Sequence, residues 1–138
     1  MKIAIASDHG GFDFKSAIIK ALSAEATMID KGPAGRDSCD YPDFAQAVAL
    51  DVASGAADFG VLICRSGIGM SMAANRFQNV RAAVCHTTEA ATVTRQHNGA
   101  NVLCLGADVV SLDYAVEIVK TFVATPVDES VYGRALLH

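Results

Sequence analysis

Short apolar runs alternate five times with stretches whose apolar residues recur at helical spacing. "KIAIAS" (Lys2–Ser7) ends in Asp8-His9-Gly10-Gly11, after which Phe14, Ile18 and Leu22 recur every four residues beside Ala17 and Ala21. "ATMID" (Ala26–Asp30) is a weaker run, followed by an irregular loop over Lys31–Asp40 that holds Gly32, Pro33 and Gly35. Phe44, Ala45, Val48, Ala49 and Val52 mark a second helix that stops near Gly55. "FGVLIC" (Phe59–Cys64) leads through a glycine turn into a helix predicted over Ile68–Asn75. "VRAAVC" (Val80–Cys85) precedes a helix capped by Thr87 or Thr88 and running to His97. "NVLCLG" (Asn101–Gly106) precedes a stripe of Leu112, Ala115, Val116, Val119, Phe122 and Val123 that Pro126 ends.

Five β-then-α units in order predict a parallel sheet with helices on both faces. The near-continuous apolar strands agree, because doubly covered parallel strands need no polar face. One domain over residues 1–138 is expected, with 125–138 as a weakly patterned arm that packs on a partner subunit. About half the residues are apolar (51%), enough for one substantial core. The net charge of −4 is spread out, with no basic block and no tryptophan, which argues against nucleic acid and anionic membrane as partners. No apolar run approaches a spanning length, and the N-terminal one is too short for a signal peptide, so a cytoplasmic protein is expected. Cys39, Cys64, Cys85 and Cys104 have no CxxC spacing and no metal-type neighbours. Buried free thiols in a reducing compartment are the plain reading of them.

In such sheets ligands bind beyond the carboxyl ends of the strands. There the sequence places Ser7-Asp8-His9-Gly10-Gly11, Cys64-Arg65-Ser66-Gly67-Ile68-Gly69, His86, and Gly106-Ala107-Asp108. Gly67 and Gly69 allow close backbone approach, and the helix start behind them offers free N–H groups to an anion or a reaction oxyanion. Neither a dinucleotide fingerprint nor a P-loop fits: Met72 stands where a third glycine belongs, and no Gly-Lys-Ser/Thr follows. A plain strand–helix turn is the alternative. Cys64, beside that turn and Arg65, is a candidate thiolate nucleophile or base, or else one more core cysteine. Asp8 is a helix cap or a hydroxyl ligand, and His9 a proton carrier near neutral pH. His97 and Asn98 lie at a helix end ahead of the fifth strand. Only an unusual placement or a second subunit brings them to the same crevice.

Taken together, "KIAIASDHGGF", "IDKGP", "DYPDFA", "GVLICRSGIGMSMAANR", "VRAAVC", "RQHNGANVL" and the closing helix resemble the family of ribose-5-phosphate isomerase B and the galactose-6-phosphate isomerase subunits. The resemblance runs from Met1 to about Phe122. It implies a Rossmann-like three-layer α/β/α sandwich with a five-stranded parallel sheet, forming homodimers or homotetramers with shared active sites. It implies aldose–ketose isomerisation of a sugar phosphate, without metal or cofactor, by C1–C2 proton transfer through a cis-enediolate. By motif position Cys64 is the base, and Ser66, Gly67, Gly69 and Ser71 hold the enediolate oxygens. Asp8, His9 and Tyr41 bind substrate, His97 opens the sugar ring, and Asn98 binds a neighbouring hydroxyl. From the residues alone either His9 or His97 serves for ring opening.

Three departures bear on the substrate. Arg65 stands where the family has glycine, Asp108 in "GADVV" where it has a phosphate-binding arginine, and "ESVYGRALLH" offers Arg134 where the family has two arginines four residues apart. Either Arg65 and Arg134 meet the anionic end of a differently seated substrate, or Arg65 points to solvent or pairs with Asp108. Ribose 5-phosphate is the default substrate. A tetrose, hexose or deoxy-sugar phosphate, or a sugar acid, is the alternative, and a non-catalytic sugar-phosphate-binding module a third.

Overall fold

The structure is a computed structural model that describes residues 1–37 and 40–136, with side chains up to Gly133. Cys39 and the side chain of Arg134 therefore lie outside the described residues. The strands are β1 (Lys2–Ser7), β2 (Thr27–Asp30), β3 (Phe59–Cys64), β4 (Ala82–Val84) and β5 (Val102–Gly106), all parallel, in the order β2-β1-β3-β5-β4. The helices are α1 (Phe12–Leu22), α2 (Tyr41–Ser54), α3 (Ile68–Ala74), α4 (Thr88–Asn98), α5 (Leu112–Ala124) and α6 (Glu129–Leu136), with a 3-10 turn over His9–Gly11.

Strand alternation divides the core in two. Ile3, Ile5, Val61, Ile63, Leu103 and Leu105 face α1, α4 and α5, which contribute Ile18, Leu22, Ala91, Ile118, Val119 and Phe122. Ala4, Ala6, Leu62, Cys64, Val102 and Cys104 face Ala45, Val48, Ala49 and Val52 of α2 and Met70 and Ala74 of α3. The result is the three-layer α/β/α sandwich with a five-stranded parallel sheet that the sequence predicts. Each fully buried aliphatic side chain contributes about 1.5–3 kcal/mol. The central strands, with β1 and β5 either side of β3, are therefore the most strongly held.

Edge strand β4 is shorter than the predicted Val80–Cys85 run. An edge strand lacks ladder partners on one side, and here a side chain supplies them. Asn75 Oδ1 accepts from the Ala82 N–H at 2.8 Å, and Asn75 Nδ2 donates to the Ala82 carbonyl at 2.9 Å. The segment after Pro126, expected as an arm, forms α6, and α6 packs against α4 of its own chain.

In α1 the core positions are Lys15, Ile18 and Leu22, while Phe14 is half-buried. Lys15 is 1% exposed. Its ammonium donates to Asp30 Oδ1 at 2.8 Å and to the Pro33 carbonyl, and lies 5.0 Å from the centre of the Phe12 ring. These partners offset the cost of burying the charge, and they tie the loop after β2 to the first turn of α1. Periodicity does not anticipate a lysine there, because its partners come from β2 and the following loop. Lys15→Met is expected to lower unfolding free energy by about 1–3 kcal/mol, since it leaves the Pro33 carbonyl unpaired while the half-exposed Asp30 rehydrates. A urea melt measures this, and an unchanged midpoint contradicts it.

Candidate active site

The turn after β1 enters α1 on one face, the turn after β3 enters α3 on the other, and the turn after β5 returns to the first face. With β3 between β1 and β5, the three carboxyl ends meet at Cys64, the position where such sheets form a ligand crevice because the connections diverge. Register holds them level: Ser7 is opposite Ile63 and Cys64 is opposite Gly106. Asp8 N–H donates to the Ile63 carbonyl (2.9 Å), Ala107 N–H to the Cys64 carbonyl (2.8 Å) and Asp108 N–H to the Arg65 carbonyl (3.0 Å).

Cys64 is 6% exposed, and its sulfur accepts the Gly67 N–H at 3.1 Å. That donor serves a thiolate better than a thiol, since sulfur is a weak acceptor until it is charged. Gly67 holds the geometry with a φ of +80°, and a Cβ there would stand 3.0 Å from the Leu105 carbonyl carbon. Ser66 Oγ accepts the Ile68 N–H (3.2 Å), and Ser71 Oγ donates to the Ile68 carbonyl (2.7 Å). The Gly69 and Met70 amides begin α3 and have no intrahelical acceptor, as at any helix start. Tyr41, at the first position of α2, lays its ring against Gly69, where a Cβ would stand 2.9 Å from Cζ.

Asp8 is buried, and its Oδ1 accepts the Gly11 N–H at 2.9 Å. The cap reading of Asp8 is therefore seen in the structure, and among the described residues it leaves the second carboxylate oxygen unengaged. His9 is exposed beside it. Arg65 Nε donates to Asp108 Oδ2 at 2.8 Å, with both side chains well exposed. That bond, then the charge of Asp108, and lastly that of Asp8, push the guanidinium above its ordinary range. Of the alternatives for Arg65, the pair with Asp108 is the one present, and the stem of Arg65 crosses toward Gly10 on the β1 side.

His86, to which the sequence assigns no role, closes the β5 end: its Nε2 accepts the Gly106 N–H at 3.1 Å. This bond needs a neutral ring, and burial lowers the imidazole's pKa accordingly. Nothing in the sequence pairs residues 86 and 106; the strand order does.

His97 and Asn98 do not join this group within one chain. Helix α4 carries the chain back to the amino edge of the sheet, so they lie exposed near the start of β5. The length of β5, on the order of 15 Å, separates them from the Cys64 edge. Asp128 stands near His97: its carboxyl is held below the usual range by the Ser130 hydroxyl, by the Ser130 and Val131 N–H groups, and lastly by the charge of His97. Among the described residues no cluster of three or more His, Cys, Asp or Glu is arranged to hold a metal, and no helix is long and apolar enough to cross a membrane.

Residues 3–136 match the model of the Ribose/Galactose Isomerase family. The chain belongs to that family. It is an aldose–ketose isomerase of sugar phosphates by that membership. Ribose-5-phosphate isomerase B of Escherichia coli (strain K12) is 45% identical over 122 residues, covering 88% of this chain and 82% of that protein. D-erythrulose-4-phosphate isomerase 2 of Mycolicibacterium smegmatis is 38% identical over 142 residues, covering 100% and 93%. The solved structure of Clostridium thermocellum ribose-5-phosphate isomerase B superposes with a TM-score of 0.93 at 43% identity, covering 98% of this chain and 95% of that one.

Two other thiols are more deeply buried than Cys64. Burial pushes the Cys85 thiol up to about 11 and raises Cys104 still further, with the charges of Cys64 and Cys85 adding to the latter. A thiol whose pKa is raised on folding contributes stability that is complete below its unfolded value, near 9.0, and is lost as pH rises through the folded value. Unfolding free energy is thus expected to fall as pH climbs from about 9 to 11, and Cys85→Ala is expected to flatten that slope in pH-dependent urea melts. In native protein at pH 8, iodoacetamide is expected to label Cys64 ahead of Cys85 and Cys104, as read by peptide mass mapping. Equal labelling of the three would contradict the distinction.

Proposed function

We propose that the chain interconverts ribose 5-phosphate and ribulose 5-phosphate with Cys64 as the base. The observation that carries this reading is the Gly67 N–H aimed at the Cys64 sulfur in a turn lined by further donors. In the open-chain aldose the Cys64 thiolate takes the C2 proton. The C–H electron pair forms the C1=C2 bond, and the carbonyl pair moves onto O1 to give a cis-enediolate. The O2–H proton passes to O1, and Cys64 returns its proton to C1 as the C2 carbonyl forms, so nothing is oxidised or reduced overall.

Ser66, Gly67, Gly69 and Ser71 line the position where the oxyanion develops, and one such donor is worth roughly 3 kcal/mol of barrier. Asp8, His9 and Tyr41 surround the same opening and receive the sugar hydroxyls. His97 opens the ring and Asn98 binds beside it, both supplied by a second copy of the chain in a homodimer or higher assembly. The separation of α4's end from Cys64 supports that sharing. No cofactor enters this scheme.

A second reading, a shorter substrate such as a tetrose phosphate, is favoured by the Arg65–Asp108 pair across the crevice mouth. The Mycolicibacterium smegmatis relative is named for a four-carbon sugar phosphate, which fits that reading. In it Arg65 exchanges Asp108 for the substrate's anionic end, with Arg134 as a further candidate cation.

Incubation in D₂O with four-, five- and six-carbon aldose phosphates, followed by NMR, tests both. Deuterium at C2 and ketose formation are expected with ribose 5-phosphate, and labelling of tetrose phosphate alone would replace the first reading by the second. Cys64→Ser is expected to lower turnover at least about 10²-fold, the ordinary contribution of a positioned base; full activity would remove Cys64 from the mechanism. Arg65→Gly is expected to raise KM for the true substrate, and an unchanged KM would leave the Arg65–Asp108 pair as a surface contact.

A further inference from the structure

The exposed turn that carries His97 and Asn98 is held from two sides. On the outside, Arg81 Nε donates to the Asn98 carbonyl at 2.6 Å. The same guanidinium lies 5.2 Å from the centre of the Tyr132 ring in α6. That ring covers Gly99, where a Cβ would stand 2.6 Å from Tyr132 Cζ, and Gly99 is the left-handed C-cap of α4 with a φ of +60°. Asp128 N–H, at the start of α6, donates to the Gln96 carbonyl at 3.1 Å. On the inside, Arg95 Nη1 donates to the Ala100 carbonyl at 2.7 Å and Arg95 Nε to the Thr125 carbonyl at 3.0 Å, with its guanidinium 4.8 Å from the Phe59 ring centre.

A helix C-terminus frays because its last carbonyls lack intrahelical donors. Here the Gln96 and Asn98 carbonyls receive donors from α6 and β4's approach, and an aromatic plate closes over the cap. We propose that Arg81 and Tyr132 are positioning residues for ring opening, with α6 clamping the turn so that His97 and Asn98 keep one orientation. The inference rests on the reading of His97 as the ring-opening group. In that step the imidazolium gives a proton to the ring oxygen as the C1–O4 bond breaks. The O1–H proton leaves to water and C1=O1 remains. Neither Arg81 nor Tyr132 touches the sugar in this scheme; they fix the group that does, and a displacement on the order of 1 Å costs such a step about 10²-fold.

The two pentose phosphates separate this role from general support of the fold. Ribose 5-phosphate is mostly a closed ring. Ribulose 5-phosphate is open-chain, because its O5 is esterified and cannot close a five-membered ring onto C2. Turnover of ribose 5-phosphate therefore includes ring opening, whereas C1 deuteration of ribulose 5-phosphate in D₂O needs only Cys64 and the oxyanion donors. Tyr132→Ala and Arg81→Met are each expected to lower kcat for ribose 5-phosphate about tenfold and to leave ribulose 5-phosphate exchange within about twofold. Tyr132→Phe, which keeps the ring over Gly99, is expected to retain both rates. The exchange rate also reports that each variant is folded, and sedimentation velocity reports its assembly; a selective loss accompanied by dissociation would overturn the clamp.

Equal losses in both measurements, or no loss in either, would overturn the clamp. His97→Asn serves as the reference. If it is selective for the ring-closed substrate and the clamp variants are not, the clamp fails while the reading of His97 stands. If His97→Asn is itself unselective, or the unaltered chain acts on neither pentose phosphate, the reading of His97 or of the substrate fails, and this inference fails with it.

Discussion

Parallel pairing on both sides of β3 is the constraint from which the site follows. Parallel strands bring their carboxyl ends to one edge, and the register places Ser7, Cys64 and Gly106 within one residue of level. The turns that leave those ends then have to separate, because α1 and α5 cover one face and α3 the other. A crevice is the geometric remainder. It opens where buried aliphatic strands give way to glycines, and the side chains gathered there are those with chemistry: a thiol, a carboxylate, an imidazole and two hydroxyls.

Within that crevice, backbone groups do most of the arranging. The Gly67 amide meets the Cys64 sulfur because a left-handed residue turns the chain immediately after the strand, and only glycine fits beneath Leu105 there. Charge is arranged with the same economy. Arg65 and Asp108 stand on adjacent turns already joined by backbone hydrogen bonds, so their pairing requires no further ordering of the main chain. At the surface such a pair is easily exchanged.

The regular elements were legible because each carries its own periodicity. Cys64 to Gly69 and Asp8 to Gly11 were legible as strand-end turns, and so as candidate site segments, because a strand followed by glycines is a local pattern. The resemblance to the isomerase family rested on those same stretches, and the family model spans them. Lys15 was not legible, since a buried lysine is read only from its partners, Asp30 and Pro33. Nor was α6: its apolar residues are too few to mark a helix, and it is held by Gly99, Gln96 and Arg81, none of which is a sequence neighbour.

The sequence by itself determined the alternation of strand and helix and the parallel sense of the sheet, because short-range pattern suffices for these, and it singled out Cys64 as the candidate base. Only the tertiary structure decided the order β2-β1-β3-β5-β4, the pairing of Arg65 with Asp108, the bond from Gly106 to His86, and the folding of α6 over the end of α4. Each of those depends on contacts between residues far apart in the chain, and such contacts are selected by the packing of the whole core rather than by any local stretch. The same packing separates His97 from Cys64 by the length of a strand, which no reading of a linear motif could have measured.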